Sequence, residues 1–437
     1  MAMDIVADTQ VVVLMGGLGT RLGLSDRPKA MADVNGIPFF DYQLKLLKRW
    51  KFHKFLFLVG HQSEYIESYY GDGSRWQVEI HYSHDGSAPQ GTGGALKHAE
   101  GKLEDDFLLI YGDSFMDIDY QETVYRYQLA KTEGKLGLMA ILKNRNRFDK
   151  SNVIFQDGEL VLYDKANRQE GMQYIDYGVS MLSKTILDGR LRDDAFDLAE
   201  LLTGLSRCGR LAAQIVEKRF YEIGSPDSLQ EFCSYAKVRF GEKRKAVFLD
   251  RDGVINELVF CDETEQIDSP FRREEFCYRP NVLQTLRYLQ QRGYYLFIVT
   301  NQPAAAKGKV SLQDLYDLNT WMIQDLQVNG IAVEFVGLCP HHPDGDPHNK
   351  KARFLIQNCA CRKPKPGMIM DLIQVYHIDS VRSYMVGDSY TDIFAGKQAG
   401  LRTVLLGSWK CDICRRLEGN RPDAIIQDIA ELEQLVE

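Results

Sequence analysis

Short apolar runs of strand length recur along the chain and alternate with longer stretches in which apolar residues return every three or four positions. In the first half the runs include VVVLMGG (11–17), KFLFLVG (54–60), FLLIYGD (107–113) and LGLMAIL (136–142), and PFFDYQLKLLKRW (38–50) has helical spacing. Runs of this length between amphipathic segments predict an α/β domain with a largely parallel sheet. SNVIFQDGELVLYDK (151–165) predicts a hairpin turning at Asp157-Gly158. After FYEIGSPDSLQEF (220–232) the polar, basic stretch CSYAKVRFGEKRK (233–245) lacks a long apolar pattern and is expected to be a linker. The rhythm restarts with KAVFLD (245–250), YYLFIVT (294–300), VEFVGL (333–338), SYMVGD (383–388) and RTVLLG (402–407). Two different α/β domains in tandem are expected, residues 1–232 and 246–437.

Length agrees, since 437 residues exceed one ordinary core. A net charge of −8 argues against nucleic acid or an anionic membrane as the main partner, while leaving room for small anions in local loops. No apolar run nears the roughly 20 residues that span a bilayer. The start, MAMDIVADTQ, does not read as a secretory signal. Nine cysteines without such a signal read as reduced thiols or metal ligands, so the cytoplasm is the expected compartment.

The first chemistry-bearing loop is MGGLGTRLG (15–23), where Gly16, Gly17 and Gly19 let the backbone approach an anion and Arg21 can neutralise phosphate charge. RPKAMADVNGIPFFDY (27–42) adds Lys29, PQGTGGALKHA (89–99) adds a second Gly-rich segment, and IYGDSFMDID (110–119) puts Asp113 at a strand's carboxyl end. Together these resemble the sugar-1-phosphate nucleotidyltransferases, a Rossmann-like family, over roughly residues 8–232. The resemblance implies in-line attack of a sugar 1-phosphate on the α-phosphate of a nucleoside triphosphate, with pyrophosphate leaving. It further implies that Arg21 holds the triphosphate with Gly16, Gly17, Gly19 and Thr20, and that Lys29 sits near the reacting phosphates. Asp113 would hold Mg²⁺, Gly91 would line the nucleoside pocket, Lys165 would contact the sugar phosphate, and Gly178 would border the sugar. Two positions depart from the family pattern: Met15 stands where alanine is usual, and Glu222, in EIGSP, where the second metal aspartate is usual.

In the second half AVFLDRDGVIN (246–256) ends an apolar run in Asp250, Arg251 and Asp252. Later strand ends bring Thr300 and Asn301, CRKPKPGM (361–368) brings Arg362 and Lys363, and VGDSYTD (386–392) brings Asp388 and Asp392. Such a set suits phosphoryl transfer with Mg²⁺: Asp250 as nucleophile, Asp252 as general acid and base, Thr300 and Lys363 neutralising the phosphoryl oxygens. Asp250, Asp388 and the backbone carbonyl of Asp252 would hold the ion. The pattern resembles the haloacid dehalogenase-like phosphatases over roughly 245–432. No stretch is long enough for a large cap, so Arg251, Asn301 and Arg362 are candidate substrate contacts. Cys339-Pro340-His341 and Cys359-Ala360-Cys361 give three thiols and an imidazole, a set for a closed structural Zn²⁺ site. His342 and His348 are spare, and the pair Cys411 and Cys414 reads as ordinary thiols.

The zinc loop with DRDGVIN, TNQ and CRKPKPGM resembles the D,D-heptose 1,7-bisphosphate 7-phosphatases, with the related histidinol-phosphatases as the alternative. TNQ continues as PAAAKGKV, where the heptose family usually has Ser-Gly. The first half is most similar to the heptose 1-phosphate guanylyltransferases. Removing the 7-phosphate from a heptose 1,7-bisphosphate leaves the sugar 1-phosphate that such a transferase needs, so two successive steps toward a GDP-heptose are expected. Small-molecule substrates are the expected partners. A different sugar, or a degenerate nucleotide-sugar-sensing first domain, are the competing readings.

Overall fold

Val11, Val12 and Val13 are wholly buried because their strand, β1 (Gln10–Leu14), has a neighbour on each side. A computed structural model of the chain describes residues 4–17, 22, 26–84, 90–192, 194–261, 265–407 and 421–436. It divides into two units, Met1–Val238 and Arg239–Glu437. The stretch expected as a linker is helical through Phe240, completing a helix Pro226–Phe240. Phe232 and Ala236, four residues apart and both buried, explain why the helix runs on through polar sequence.

In the first unit β1 is followed by β2 (Lys54–Val59), β3 (Glu79–His84), β4 (Asp106–Tyr111), β5 (Gly137–Lys143), β6 (Val153–Gln156), β7 (Glu159–Tyr163), β8 (Tyr174–Ser183) and β9 (Leu211–Val216). One sheet runs β7-β6-β8-β4-β1-β2-β3, with β5 joined to β8 and to β9. The β4-β1-β2-β3 block is parallel, whereas β8 runs antiparallel to β4 and β5, so the sheet is mixed. The 151–165 hairpin turns at Asp157 (φ 50°) and Gly158 (φ 83°), a left-handed pair that matches strand twist.

The larger sheet of the second unit is wholly parallel, made of β10 (Ala246–Leu249), β11 (Tyr295–Asn301), β12 (Val333–Cys339), β13 (Tyr384–Gly387), β14 (Arg402–Leu406) and β15 (Ala424–Ile426). Its order is β12-β11-β10-β13-β14-β15. In both units the chain starts at a strand that becomes central, builds outward on one side, then crosses back to the other. The reversal lies between β1 and β4 in the first unit and between β10 and β13 in the second. Open sheets of this kind place ligands at the carboxyl ends of those strands.

Gly73, in the turn before β3, has φ +87°, and a Cβ there would lie 2.5 Å from the Val78 carbonyl oxygen. Backbone cannot yield as a side-chain tip can. Gly73→Ala is therefore expected to cost about 2–4 kcal/mol, read as a lower urea midpoint at unchanged slope.

Candidate functional site

At the first reversal, Gly112 N–H donates to Leu14 O, which sets the Met15–Gly17 loop beside Asp113. Met15 is buried and covers Gly112, whose missing side chain makes room: a Cβ there would meet Met15 Cγ at 2.8 Å. The larger residue at 15 is thus accommodated by packing. Lys29 Nζ lies 3.1 Å from Asp113 Oδ2, joining residues 84 apart in sequence. Glu222 reaches the same place on a two-residue strand, Tyr221–Glu222, that pairs with Ser114–Phe115, and Ile223 N–H donates to Asp113 O at 3.0 Å. Asp113, Glu222 and Lys29 are brought together, two carboxylates and an ammonium at one strand end. Gly19, Thr20 and Arg21 lie outside the described residues, as do Cys411 and Cys414.

Gly91 opens the helix Gly91–His98 with φ +72°, and a Cβ there would lie 2.5 Å from Phe196 O. Gly93 and Gly94 are equally tight against Phe196 and Asp194. Close packing of this helix on residues 194–197 thus requires glycine at all three positions. Gly178 (φ +85°) sits where the β8–β5 register shifts, beside Tyr111, and its N–H donates to Asp176 Oδ1. Burial raises the Asp176 carboxyl, with Gly178 and Lys165 opposing. No motif marks Asp176, which holds the Gly178 N–H and feels the Lys165 charge.

At the second reversal, Asp250 N–H donates to Val386 O, so Asp250 and Asp388 leave adjacent strands side by side. Gly253 must be glycine: its φ is +79°, and a Cβ would lie 2.2 Å from Asp388 Oδ2. Asp392 belongs to the same cluster, and carboxylate oxygens of Asp250, Asp388 and Asp392 lie within 4.8 Å of one another. Lys363, almost wholly buried, puts Nζ 2.9 Å from Asp250 and 2.6 Å from Asp392, and donates to Val299 O. Burial pulls this ammonium down, but Asp250 and Asp392 more than reverse it. Burial pushes Asp250 up to about 8, with Lys363 opposing and Asp392, Asp252 and Asp388 reinforcing. Burial also takes Asp388 up to about 6. Three carboxylates against one ammonium, with oxygen donors converging, fit a hard divalent cation.

Thr300 is buried at the end of β11. Asn301 and Lys363 exchange two hydrogen bonds, Asn301 Nδ2 to Lys363 O and Lys363 N–H to Asn301 Oδ1. Asn301 therefore anchors the lysine loop. Arg251, expected at the substrate, is 0% exposed: its guanidinium grips Asp252 and reaches Asn319. Arg362 is half-buried and donates to His341 O.

Beside this site the four sulfur and nitrogen donors of Cys339, His341, Cys359 and Cys361 converge. Sulfur pairs lie 3.2–3.5 Å apart, and His341 Nδ1 is 3.3 Å from Cys361 and 3.6 Å from Cys339. These separations are too long for a disulfide at about 2.05 Å. A tetrahedral ion with bonds of about 2.0–2.3 Å would give edges of roughly 3.5–3.8 Å, so the cluster can close on one metal ion with little movement. Cys339 ends β12, and its carbonyl accepts from Gln302 N–H, which couples the cluster to the Thr300 strand end.

In the phosphatase unit three participants had no sequence assignment: Asn256, whose Nδ2 donates to Asp252 Oδ1, Gln302 and Asn319. Gln302 follows Thr300-Asn301 directly, so the motif itself pointed to it. Asn319 was detectable as the one polar position in a buried stripe of Leu312, Leu315, Met322 and Leu326.

Residues 10–235, just over half the chain, match the family model described as Nucleotidyl transferase, and residues 360–432 match one described as HAD-hydrolase-like. The D-glycero-beta-D-manno-heptose-1,7-bisphosphate 7-phosphatase of Rhodopseudomonas palustris is 38% identical over 159 residues, 36% of this chain and 81% of that protein. The chain belongs to the nucleotidyl transferases in its first unit and to the HAD-like phosphatases in its second. A D-glycero-alpha-D-manno-heptose-1,7-bisphosphate 7-phosphatase of Photorhabdus laumondii is 36% identical over 159 residues, covering 36% of this chain and 80% of that protein. Among solved structures, HddC from Yersinia pseudotuberculosis complexed with GMP-PN is similar at 26% identity and a TM-score of 0.44, over 52% of this chain and 99% of that one.

The phosphatase unit's raised Asp250 has a measurable consequence. Between the ordinary aspartate value of 3.8 and about 8, folded Asp250 keeps a proton that the unfolded chain has lost. Cation-free stability therefore falls as pH rises through that window. A divalent cation must expel the proton, so calorimetry at pH 7 in buffers of different ionisation enthalpy is expected to show release of about one proton per cation bound.

Proposed function

We propose that the phosphatase unit removes the 7-phosphate of D-glycero-D-manno-heptose 1,7-bisphosphate and that the transferase unit then joins the resulting heptose 1-phosphate to GMP from GTP. The observation that carries this reading is the pairing itself. Relatives of one unit are named for hydrolysis of a heptose 1,7-bisphosphate at the 7-position, and the other unit, a nucleotidyl transferase, resembles those that consume sugar 1-phosphates. Guanine rests on the likeness of MGGLGTRL, RPKAMADVNGIPFFDY and GDSFMDID to the guanylyltransferases of heptose 1-phosphate.

In the phosphatase unit, an Asp250 oxygen attacks phosphorus and the bond to the sugar oxygen breaks, giving an aspartyl phosphate. Asp252 protonates the departing oxygen and then takes a proton from the water that frees inorganic phosphate. Thr300 and Lys363 neutralise the phosphoryl oxygens, and Arg362 is the substrate contact we retain. Asp250, Asp388 and the Asp252 carbonyl would hold Mg²⁺, which offsets charge building on the transferred group. Cys339, His341, Cys359 and Cys361 would hold a structural Zn²⁺ that fixes the loop bearing Arg362 and Lys363.

In the transferase unit, Lys29 would neutralise the reacting phosphates, with Arg21, Gly16, Gly17, Gly19 and Thr20 on the triphosphate. Asp113 and Glu222 would hold Mg²⁺. Gly91 would line the nucleoside pocket, Lys165 would contact the sugar phosphate, and Gly178 would border the sugar. No helix among the described residues is long and apolar enough to cross a membrane. The cytoplasm, where nucleoside triphosphates are kept, is the proposed compartment.

The test is a one-pot reaction of the purified chain with the bisphosphate, Mg²⁺ and each common nucleoside triphosphate in turn, read by mass spectrometry. GDP-heptose formed fastest with GTP is expected. Heptose 1-phosphate without nucleotide-sugar overturns the transferase assignment, and no phosphate release overturns the heptose assignment. Asp250→Asn should abolish phosphate release yet leave transfer from supplied heptose 1-phosphate intact. Lys29→Met should cut transfer by about 10²–10³-fold and spare phosphate release. Native mass spectrometry is expected to find one zinc per chain, lost in Cys359→Ala.

A further inference from the structure

Asp252 is the proposed acid and base, and its carboxylate is held unusually firmly. Arg251 Nε lies 3.0 Å from Oδ1 and Arg251 Nη2 3.2 Å from Oδ2, a two-point grip that fixes distance and plane together. Asn256 Nδ2 adds a third contact at 3.1 Å to Oδ1, and Gln302 Nε2 a fourth at 2.5 Å to Oδ2. Gln302 also donates to Thr300 Oγ1 at 2.9 Å. The guanidinium that grips Asp252 has its own fixed point: Arg251 Nη1 donates to Asn319 Oδ1 at 3.0 Å. Arg251 is 0% and Asn319 5% exposed, so water does not substitute for either contact.

Asn319 stands in a stripe that is otherwise core. Leu312, Leu315, Met322 and Leu326 of the same helix, Leu312–Val328, are all buried. A polar amide in such a stripe is costly unless it is hydrogen-bonded. The bond to Arg251 is the one that connects it to the reacting groups. A seventeen-residue helix is a rigid mount for the far end of the Arg251 side chain, whose backbone carbonyl is held separately by the N–H groups of Val254, Ile255 and Asn256.

We infer that Asn319 is a positioning residue, setting through Arg251 the aim of the Asp252 carboxylate. The inference rests on the phosphatase reading above. Asn319 is hydrogen-bonded to Arg251 and not to Asp252 or Thr300, so it can be changed without altering a group that meets the substrate. Asp252 is needed twice: to protonate the sugar oxygen as it leaves, and to deprotonate the water that attacks the aspartyl phosphate. A substrate with a good leaving group, p-nitrophenyl phosphate, makes only the first of these dispensable, because p-nitrophenolate departs without a proton. Misaim of Asp252 therefore has a signature: rapid release of one nitrophenolate, then slow hydrolysis, with the aspartyl phosphate accumulating.

The experiment compares the full-length chain with Asn319→Leu, which removes the acceptor at similar volume, and Asn319→Asp, which keeps it. For the heptose bisphosphate, Asn319→Leu is expected to lower kcat about 10–100-fold with KM nearly unchanged. With p-nitrophenyl phosphate it should show a stoichiometric burst and an acid-quenched phosphoenzyme that hydroxylamine discharges. Asn319→Asp should recover most of the lost kcat. If Asn319→Leu does not fold by near-ultraviolet circular dichroism, Asn319→Ser, whose hydroxyl falls short of Arg251, takes its place. Unchanged kcat, a rise in KM alone, or failure of Asn319→Asp to recover activity in an active parent overturns the inference. The p-nitrophenyl arm operates whatever the natural sugar, so a wrong sugar leaves the test in force. A parent with no phosphatase activity at all overturns the reading and the inference together.

Discussion

Because each sheet begins at a strand that ends up central, the chain must at some point cross from one side of that strand to the other. At the crossing, two neighbouring strands send their following loops in opposite directions, and a crevice opens between them. Asp250 and Asp388 in one unit, and Met15–Gly17 and Asp113 in the other, stand at that crevice because of where the strand order reverses. Residues 138 positions apart become neighbours through register: Leu249 pairs with Val386, Asp250 follows Leu249 directly, and Asp388 follows Val386 one residue further on, past Gly387. The sites depend on topology before they depend on any side chain.

Topology alone would not hold three carboxylates in one buried cluster. Lys363 supplies the opposing charge in the cation-free molecule, and its position is over-determined. Its ammonium meets Asp250, Asp392 and the Val299 carbonyl, while its backbone is tied on both sides to the Asn301 amide. A paired buried charge is costly to break from one side, since the remaining carboxylates would lose their counter-ion. Glycines do the complementary steric work. Gly253 clears space for Asp388, and Gly387 for Asp392, whose Cβ would otherwise lie 2.1 Å from a side chain at 387.

What the sequence disclosed, and what it did not, divides along a physical line. Strands and the acids at their ends were legible because both are local: an apolar run sets the strand, and the next polar residue is its tip. The Cys339–His341 and Cys359–Cys361 pairs were legible for the same reason. The use of Arg251 was not. At a turn, the direction of a side chain depends on φ and ψ that neighbours impose, and Arg251 turns inward toward a helix 68 residues away. That the glycines at 91, 93 and 94 also pack against a segment a hundred residues later was not legible. Asp176 is not legible because a lone acid on a strand has no motif, and its bond to the Gly178 N–H exists only in the fold. Long-range contact is what a single sequence hides.

The proposed order of reactions also explains why the two chemistries gain from sharing a chain. Nucleotidyl transfer exchanges one phosphoanhydride for another, so the step is close to balanced and runs in either direction with the local supply of sugar 1-phosphate. Hydrolysis of a phosphate monoester in water is downhill and effectively one-way. A transferase expressed with its own hydrolase receives its substrate from a step that does not reverse. The two active sites then need no direct contact to be coupled, since equal copy number suffices. On this argument the essential feature of the chain is the fixed one-to-one ratio of a reversible catalyst to the irreversible one that feeds it.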